Sequence, residues 1–220
     1  MIGINSWSLK NNFEDLVEIS SYNFFDSYEC SKPFFLENYN KLDKLNLKCS
    51  CLSSIITGNY DLGIKNDREK FIEEIKESCE ISNYLGTNKM MFGLSRFRQN
   101  INSDKIKFFK ELIFIAKNYD IKLLYEAIPN DEFIKNHEEL INFSKECGLN
   151  EIHVDFGTIL KNCEDYTEIY KKAKVINIHY PIGDSKYPFG YPIIYDGDLS
   201  LENYNNYSNE EIKKWIKSLL

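Results

Sequence analysis

Apolar and polar positions run along this chain in two rhythms. Short stretches that alternate, or are almost wholly apolar, have the two-residue period of β-strands. They occur at "IGINSW" (2–7), "FFDSYEC" (24–30), "LKCSCLSSI" (47–55), "KMMFGL" (89–94), "IKLLYEAI" (121–128), "EIHVDF" (151–156), "VINIHY" (175–180) and "GDLSLEN" (197–203). Between them lie longer segments whose apolar residues recur every three or four positions, as on one face of a helix. These are "NFEDLVEISSY", "FFLENYNKLDKL", "DREKFIEEIKESCEISNYLG", "SDKIKFFKELIFIAKNY", "NDEFIKNHEELINFSKECG" and "DYTEIYKKA". Several open on Asn, Ser or Asp, whose side chains cap helix N-termini, and two stop at Gly. A last amphipathic segment, "SNEEIKKWIKSLL", puts glutamates in its first turn, where the helix dipole favours them.

Eight strands separated by helices predict an α/β protein of parallel (β/α)8 TIM-barrel type. One connection departs from the rule. The seventh and eighth strands are joined by "PIGDSKYPFGYPIIYD", with three Pro, two Gly and no helical period. The helix between strands 7 and 8 is therefore expected to be lost or replaced by a loop. Nothing of linker composition divides residues 1–220, so a single domain is expected.

Composition narrows the function. The net charge is -7 and the 27 Lys and Arg are scattered, so phosphate neutralisation gives no basis for nucleic-acid binding. The longest apolar run, "LIFIA" (112–116), falls far short of the ~20 residues of a membrane span. The N-terminal "MIGINSWSLK" lacks the basic, long-apolar character of a secretory signal. Cysteines 30, 49, 51, 79, 147 and 163 form no CxxC pair or scaffold spacing. A reduced, cytoplasmic protein without nucleic-acid or membrane partners is expected.

In (β/α) barrels the chemistry sits where strands give way to the loops that follow them. The fifth strand ends in Glu126, the sixth in Asp155, the seventh in His179 and the eighth in Glu202. Any one alone would pass for a solvent-facing polar residue. Together they make a mixed oxygen and nitrogen ligand set, suited to Mn²⁺, Mg²⁺ or Co²⁺, with Zn²⁺ also admissible. His153 lies two residues before Asp155 on the same strand face. It is expected one layer deeper, hydrogen-bonded to Asn177 or to a metal ligand in support, or else simply satisfied by a carbonyl.

The stretches "IGINSWSL", "YECSKPF", "MMFGLSRFR", "YEAIPN", "VDFGT", "INIHYP" and "YDGDLSLEN" extend over nearly the whole chain. In them the chain resembles the xylose-isomerase-like TIM-barrel superfamily of sugar phosphate isomerases and epimerases. The resemblance implies one divalent cation held by Glu126, Asp155, His179 and Glu202. It also implies that Glu126 and Glu202 move a proton at the carbon beside a carbonyl, through a metal-stabilised enediolate. The chemistry agrees: such a proton is too weakly acidic for an unaided carboxylate, and a cation on the developing oxyanion lowers the barrier. Relatives often carry a substrate-contacting histidine three residues after the aspartate, where Thr158 stands here. An arginine often found after the seventh strand is also absent, and Lys186 is the nearest cation.

Further substrate-binding candidates line the same end of the barrel: Trp7, Glu29, Arg96, Arg98, Glu132 and Lys186. The arginines would suit a phosphate or carboxylate on the substrate. His137, within the charged "IKNHEEL", is expected at the surface. The resulting expectation is a metal-dependent isomerase or epimerase of a small sugar, sugar acid or sugar phosphate. Two alternatives stand beside it: a barrel that binds sugar or regulates without turnover, and a metal-dependent phosphoesterase of the endonuclease branch. Three His in the chain weigh against the latter, whose metal cluster is rich in histidine. The aromatic loop "SKYPFGYPIIY" could serve as a lid or as a homodimer contact.

Overall fold

The computed structural model describes residues 1–93, 103–128, 134–182 and 197–219. Its strands are β1 (Ile2–Asn5), β2 (Ser27–Ser31), β3 (Lys48–Ser53), β4 (Lys89–Gly93), β5 (Lys122–Glu126), β6 (Glu151–Asp155), β7 (Lys174–Pro181) and β8 (Asp198–Glu202). All pair in parallel, in the order β5-β4-β3-β2-β1-β8-β7-β6. The eight strands form a nearly closed TIM barrel. At the seam between β5 and β6, side chains stand in for ladder bonds. Lys122 Nζ lies 2.8 Å from Glu151 Oε2 at one end. At the other, Thr158 Oγ1 lies 3.0 Å from the Ala127 carbonyl.

The helices are α1 (Phe13–Ser20), α2 (Lys32–Asn38), α3 (Lys65–Tyr84), α4 (Ser103–Lys117), α5 (His137–Glu146), α6 (Phe156–Asn162), α7 (Tyr166–Lys172) and α8 (Asn209–Leu219). Local chemistry sets several starts. Asn12 accepts from the Asp15 N–H, Ser31 from the Phe34 N–H and Asn136 from the Glu139 N–H. The single helix expected from Phe34 onward is α2 followed by a 3-10 turn, Tyr39–Lys44. The helix expected across 130–148 begins only at His137, after its Asn136 cap. The short α6 follows β6 directly and was not anticipated, because Asp155 ends the strand and caps the helix at once.

Strand alternation sorts the side chains. Ile4, Leu52, Phe92, Tyr125, Val154, Ile178 and Leu201 face outward and are buried in the main core. Over β4 and β5, Phe71, Phe92, Phe109, Tyr125 and Phe143 form an edge-to-face lattice with ring centroids 5.2–5.9 Å apart. Each such buried ring contributes ~1.5–3 kcal/mol through burial. The barrel interior is divided. On its β3–β5 side Cys51, Met91 and Leu124 form a separate apolar cluster. On the β1, β2 and β6–β8 side the buried residues are polar: Asn5, Ser27, Glu29, His153, Asn177, His179 and Ser200. That asymmetry directs polar chemistry to one half of the barrel.

The expectation that the helix between β7 and β8 is lost falls on residues 183–196, outside those described.

Candidate functional site

His179 stands at the centre of the polar half, 2 % exposed near the end of β7. Its two ring nitrogens face different partners. Nε2 lies 2.9 and 3.0 Å from the two carboxylate oxygens of Glu29 on β2. Nδ1 faces the barrel mouth, 2.8 Å from Glu202 Oε2 and 3.5 Å from Glu126 Oε1. Close as they are, neither oxygen is aligned to hydrogen-bond Nδ1, which has no such partner among the described residues. Nδ1 thus stands between the two carboxylates at the mouth. The group of metal-ligand spacing among the described residues is Glu126, His153 and His179, with Asp155 and Glu202 outside it. A carboxylate behind the far ring nitrogen is the usual support of a metal-binding histidine.

Glu29 was expected at the mouth, holding a substrate hydroxyl. It is fully buried and behind the histidine instead, because two-residue alternation on β2 turns it into the barrel below the mouth. Its Oε1 also accepts from Asn5 Nδ2 at 2.7 Å. Asn5 cannot turn its amide, since its Oδ1 accepts from the Trp7 N–H at 2.9 Å.

His153 joins from one step deeper on β6. Its ring meets that of His179 edge-to-face at 4.3 Å, and its Nε2 is 3.9 Å from Glu126 Oε1. One ligand-capable atom each from Glu126, His153 and His179 lies within 4.8 Å of the others. Asn177, paired with His153 in the ladder, places Nδ2 3.2 Å from His153 Nδ1. In that orientation the proton of the neutral ring is on Nε2, facing Glu126, so His153 supports Glu126 more readily than it ligates. Burial, then the neighbouring His179 and His137, hold His153 well below the usual imidazole range, and therefore neutral.

Asp155 pairs with His179 in the ladder, whereas Glu202 lies opposite Pro181, two residues further along β7. The four strand-end residues are therefore not at one level, as even alternation would put them. The Asp155 carboxylate is heavily engaged. Oδ1 accepts from the Gly157 N–H at 2.6 Å and from Tyr204 Oη at 2.5 Å, and Oδ2 lies 2.9 Å from Thr158 Oγ1. Thr158 is fully buried behind Asp155 and does not reach the mouth. Tyr204 Oη also lies 2.5 Å from Glu202 Oε2, so one phenol links the two carboxylates.

His137 corrects another expectation. It is fully buried, not on the surface, because it opens α5 rather than lying within a charged helix face. Its Nε2 accepts the Asp155 backbone N–H at 3.2 Å, and its Nδ1 donates to Glu164. The pair occupies the β5–β6 seam, where Asp155 lacks a neighbouring strand to bond.

Burial and charge drive the carboxyls apart. Burial, reinforced by Glu202 and Asp155 and opposed by His179, pushes Glu126 up to about 7. Burial and the charge of Glu202 raise Asp155. Burial acts against charge at Glu202 as well, yet His179 keeps that carboxyl below its ordinary value. Burial likewise disfavours the imidazolium of His179, but Glu202 and Glu29 hold it well above the ordinary value. Such divergence within one cleft is typical of functional sites.

The mouth holds a cavity of about 150 Å³ bounded by Asn5, Trp7, Ser53, Ser54, Gly93, Glu126, His179 and Glu202. Trp7 is 53 % exposed on its rim. Ser54 holds a left-handed backbone (φ 51°) at the end of β3, a conformation uncommon for serine. Arg96, Arg98, Glu132 and Lys186 lie outside the described residues. Sequence reasoning passed over Tyr204 and gave His137 no part in the site. The only signal for Tyr204 was its place two residues past a strand-end glutamate.

Comparison with solved structures bears on the fold. The IolI protein with a bound zinc atom matches with a TM-score of 0.75 at 15% identity, over 99% of this chain and 95% of that one. D-psicose 3-epimerase in the presence of D-fructose matches at 0.73 and 13% identity, over 97% and 89%. An AP endonuclease of family 2 from Brucella melitensis matches at 0.77 and 14% identity, over 99% and 98%. The chain spans 42% of a xylose isomerase-like TIM barrel/4-hydroxyphenylpyruvate dioxygenase fusion protein, which it matches at 0.72 with 16% identity over 99% of its own length. No protein-family model and no curated protein matches the sequence. The fold is that of the xylose isomerase-like TIM barrels.

Proposed function

We propose that this protein is a divalent-metal-dependent isomerase or epimerase of a small sugar, sugar acid or sugar phosphate. The observation that carries the reading is His179 Nδ1, buried between the carboxylates of Glu126 and Glu202 and without a hydrogen bond among the described residues. Glu126, Asp155, His179 and Glu202 would hold the cation, with His153 beside them and Glu29 fixing the imidazole from behind. The oxygen-rich donor set suits Mn²⁺, Mg²⁺ or Co²⁺, and Zn²⁺ is the ion in one structural neighbour. When bound, the cation polarises the substrate carbonyl and so acidifies the proton on the adjacent carbon.

The chain supplies the proton chemistry. Glu126 on β5 and Glu202 on β8 reach the mouth from strands separated by β6 and β7. One carboxylate removes the proton. Returned by the other to the opposite face of the same carbon, it inverts that carbon. Delivered instead to the former carbonyl carbon, with the hydroxyl proton passing to the old carbonyl oxygen, it moves the carbonyl. The half-exposed Trp7 offers a flat apolar face at the rim, and the Ser53 and Ser54 hydroxyls border the same cavity. Arg96, Arg98, Glu132 and Lys186 remain proposed contacts for a substrate's anionic or hydroxyl groups.

A phosphoesterase reading, prompted by the endonuclease neighbour, is less well supported. Of the three histidines, His137 spends both ring nitrogens on Glu164 and on the Asp155 backbone. Only two are left for a multi-metal cluster. We also place the protein in a reducing, cytoplasmic compartment, since all six cysteines are unpaired. Among the described residues no helix is long and apolar enough to cross a membrane. A homodimer completes the proposal.

The test is solvent deuterium exchange into candidate ketoses by metal-loaded protein. Exchange should require a divalent cation and disappear in Glu126→Gln and in Glu202→Gln. Exchange that persists in both variants rules out the two-glutamate chemistry, and metal analysis well above one equivalent favours the phosphoesterase.

A further inference from the structure

Tyr204 lies two residues beyond Glu202, past the end of β8. Its Oη is 2.5 Å from Asp155 Oδ1 and 2.5 Å from Glu202 Oε2. These oxygens come from β6 and β8, so the phenol spans the site across the intervening β7. Glu202 Oε2 is also the atom 2.8 Å from His179 Nδ1. Two carboxylates brought together in a buried site repel unless something bridges them. Here a phenol stands between them, its single proton donated to one carboxylate oxygen or the other and its ring fixing their spacing.

Gly157 is an independent observation that points to the same residue. It lies inside α6, and its backbone is not in the left-handed region that calls for glycine. It is the second residue of that helix, where nothing in the backbone excludes alanine. A Cβ at 157, however, would lie 2.7 and 2.8 Å from Cε1 and Cζ of the Tyr204 ring. The ring can seat only on a residue without a side chain. The Gly157 N–H meanwhile holds Asp155 Oδ1, the oxygen that Tyr204 also contacts.

We infer that Tyr204 is a positioning residue for the cation site: seated on Gly157, its hydroxyl holds Asp155 and Glu202 where both can serve one divalent cation. The inference rests on the metal reading proposed above. It asks of Tyr204 no contact with substrate and no role in moving the proton.

Calorimetric titration with Mn²⁺ and visible spectra with Co²⁺ test it, on the wild type, Tyr204→Phe, Gly157→Ala and the double variant. Tyr204→Phe keeps the ring and removes only the bridging oxygen. Its Mn²⁺ affinity should fall about 10–100-fold, the usual effect of removing a group that orients ligands, and the Co²⁺ bands should shift. Gly157→Ala unseats the ring with the hydroxyl still present, so it should weaken binding in the same direction. The double variant should be no weaker than Tyr204→Phe, because both changes remove one contact. Wild-type affinity and an unchanged Co²⁺ spectrum in Tyr204→Phe would overturn the inference, as would full additivity in the double variant. A wild type that binds neither ion overturns the metal reading itself, and that result is seen before any variant is made.

Discussion

Replacing Glu29 with glutamine tests whether the buried carboxylate sets the face that His179 turns to the mouth. The side chain keeps its shape, and the hydrogen bonds around it dictate how the amide must sit. Asn5 Oδ1 is held by the Trp7 N–H, so Asn5 Nδ2 must keep donating to whatever stands at Glu29 Oε1. The carbonyl oxygen of glutamine takes that place, and its NH₂ falls at the Oε2 position, 2.9 Å from His179 Nε2. The carbonyl oxygen, 3.0 Å from Nε2, can still accept its proton, but a donor now crowds the same nitrogen and the carboxylate charge is gone. The hold that keeps the Nε2 proton on residue 29, and Nδ1 turned to the mouth as the nitrogen the cation needs, is thereby weakened. Exchanging a charge-assisted hydrogen bond for a neutral one costs on the order of 1 kcal/mol. For a chain of this length that lowers the melting temperature of the metal-free protein by roughly 2–4 °C. The effect on the site is larger, about 10–100-fold in divalent-metal affinity. Calorimetric titration with Mn²⁺, beside thermal unfolding with chelator present, reads both quantities. Glu29→Gln protein that binds Mn²⁺ as the wild type does would refute the orienting role, whatever its melting temperature.

Two further outcomes follow from the same geometry. Glu126 is raised from 4.5 to about 7 in the metal-free protein. A carboxyl raised on folding contributes stability that is complete below about pH 4.5 and lost as pH climbs to about 7. Its contribution should fall by about 3 kcal/mol across that window. Urea midpoints of chelated wild type and Glu126→Gln, compared from pH 4.5 to 7, should differ in slope, the wild type losing more stability as pH rises; parallel profiles would contradict it. His137→Leu strips the Asp155 N–H of its buried acceptor and Glu164 of its donor. It should destabilise by about 1–3 kcal/mol for the orphaned N–H alone. Glu164→Gln should cost less, and equal midpoints for the two variants would argue against the seam role given to His137.

Strand-end residues were legible because the two-residue period is a local property. Residues such as Glu126, Asp155, His179 and Glu202 follow apolar runs, and the loops begin where those runs stop. The helix start capped by Asn12 was equally local, whereas those after Ser31 and Asn136 differ from the starts expected at Phe34 and Asn130. The depth of each residue in the barrel was less so. A register shift between Ile152 and His153, and the placing of Glu202 opposite Pro181, set the four ligand candidates at different heights. Irregular ladders of this kind arise from the fit of neighbouring strands, and no single strand encodes them.

By itself the sequence determined the barrel, its strand order in the chain and the chemical types gathered at its mouth, since each follows from residue spacing within one element. The supports of those residues were decided only by tertiary structure. Glu29 backs His179 across 150 positions of sequence. Tyr204 bridges carboxylates from β6 and β8, and His137 closes a seam that exists only once β5 and β6 meet. A buried polar group needs a partner, and which partner it finds depends on curvature that brings distant strands edge to edge. Spacing along the chain carries no record of that closure.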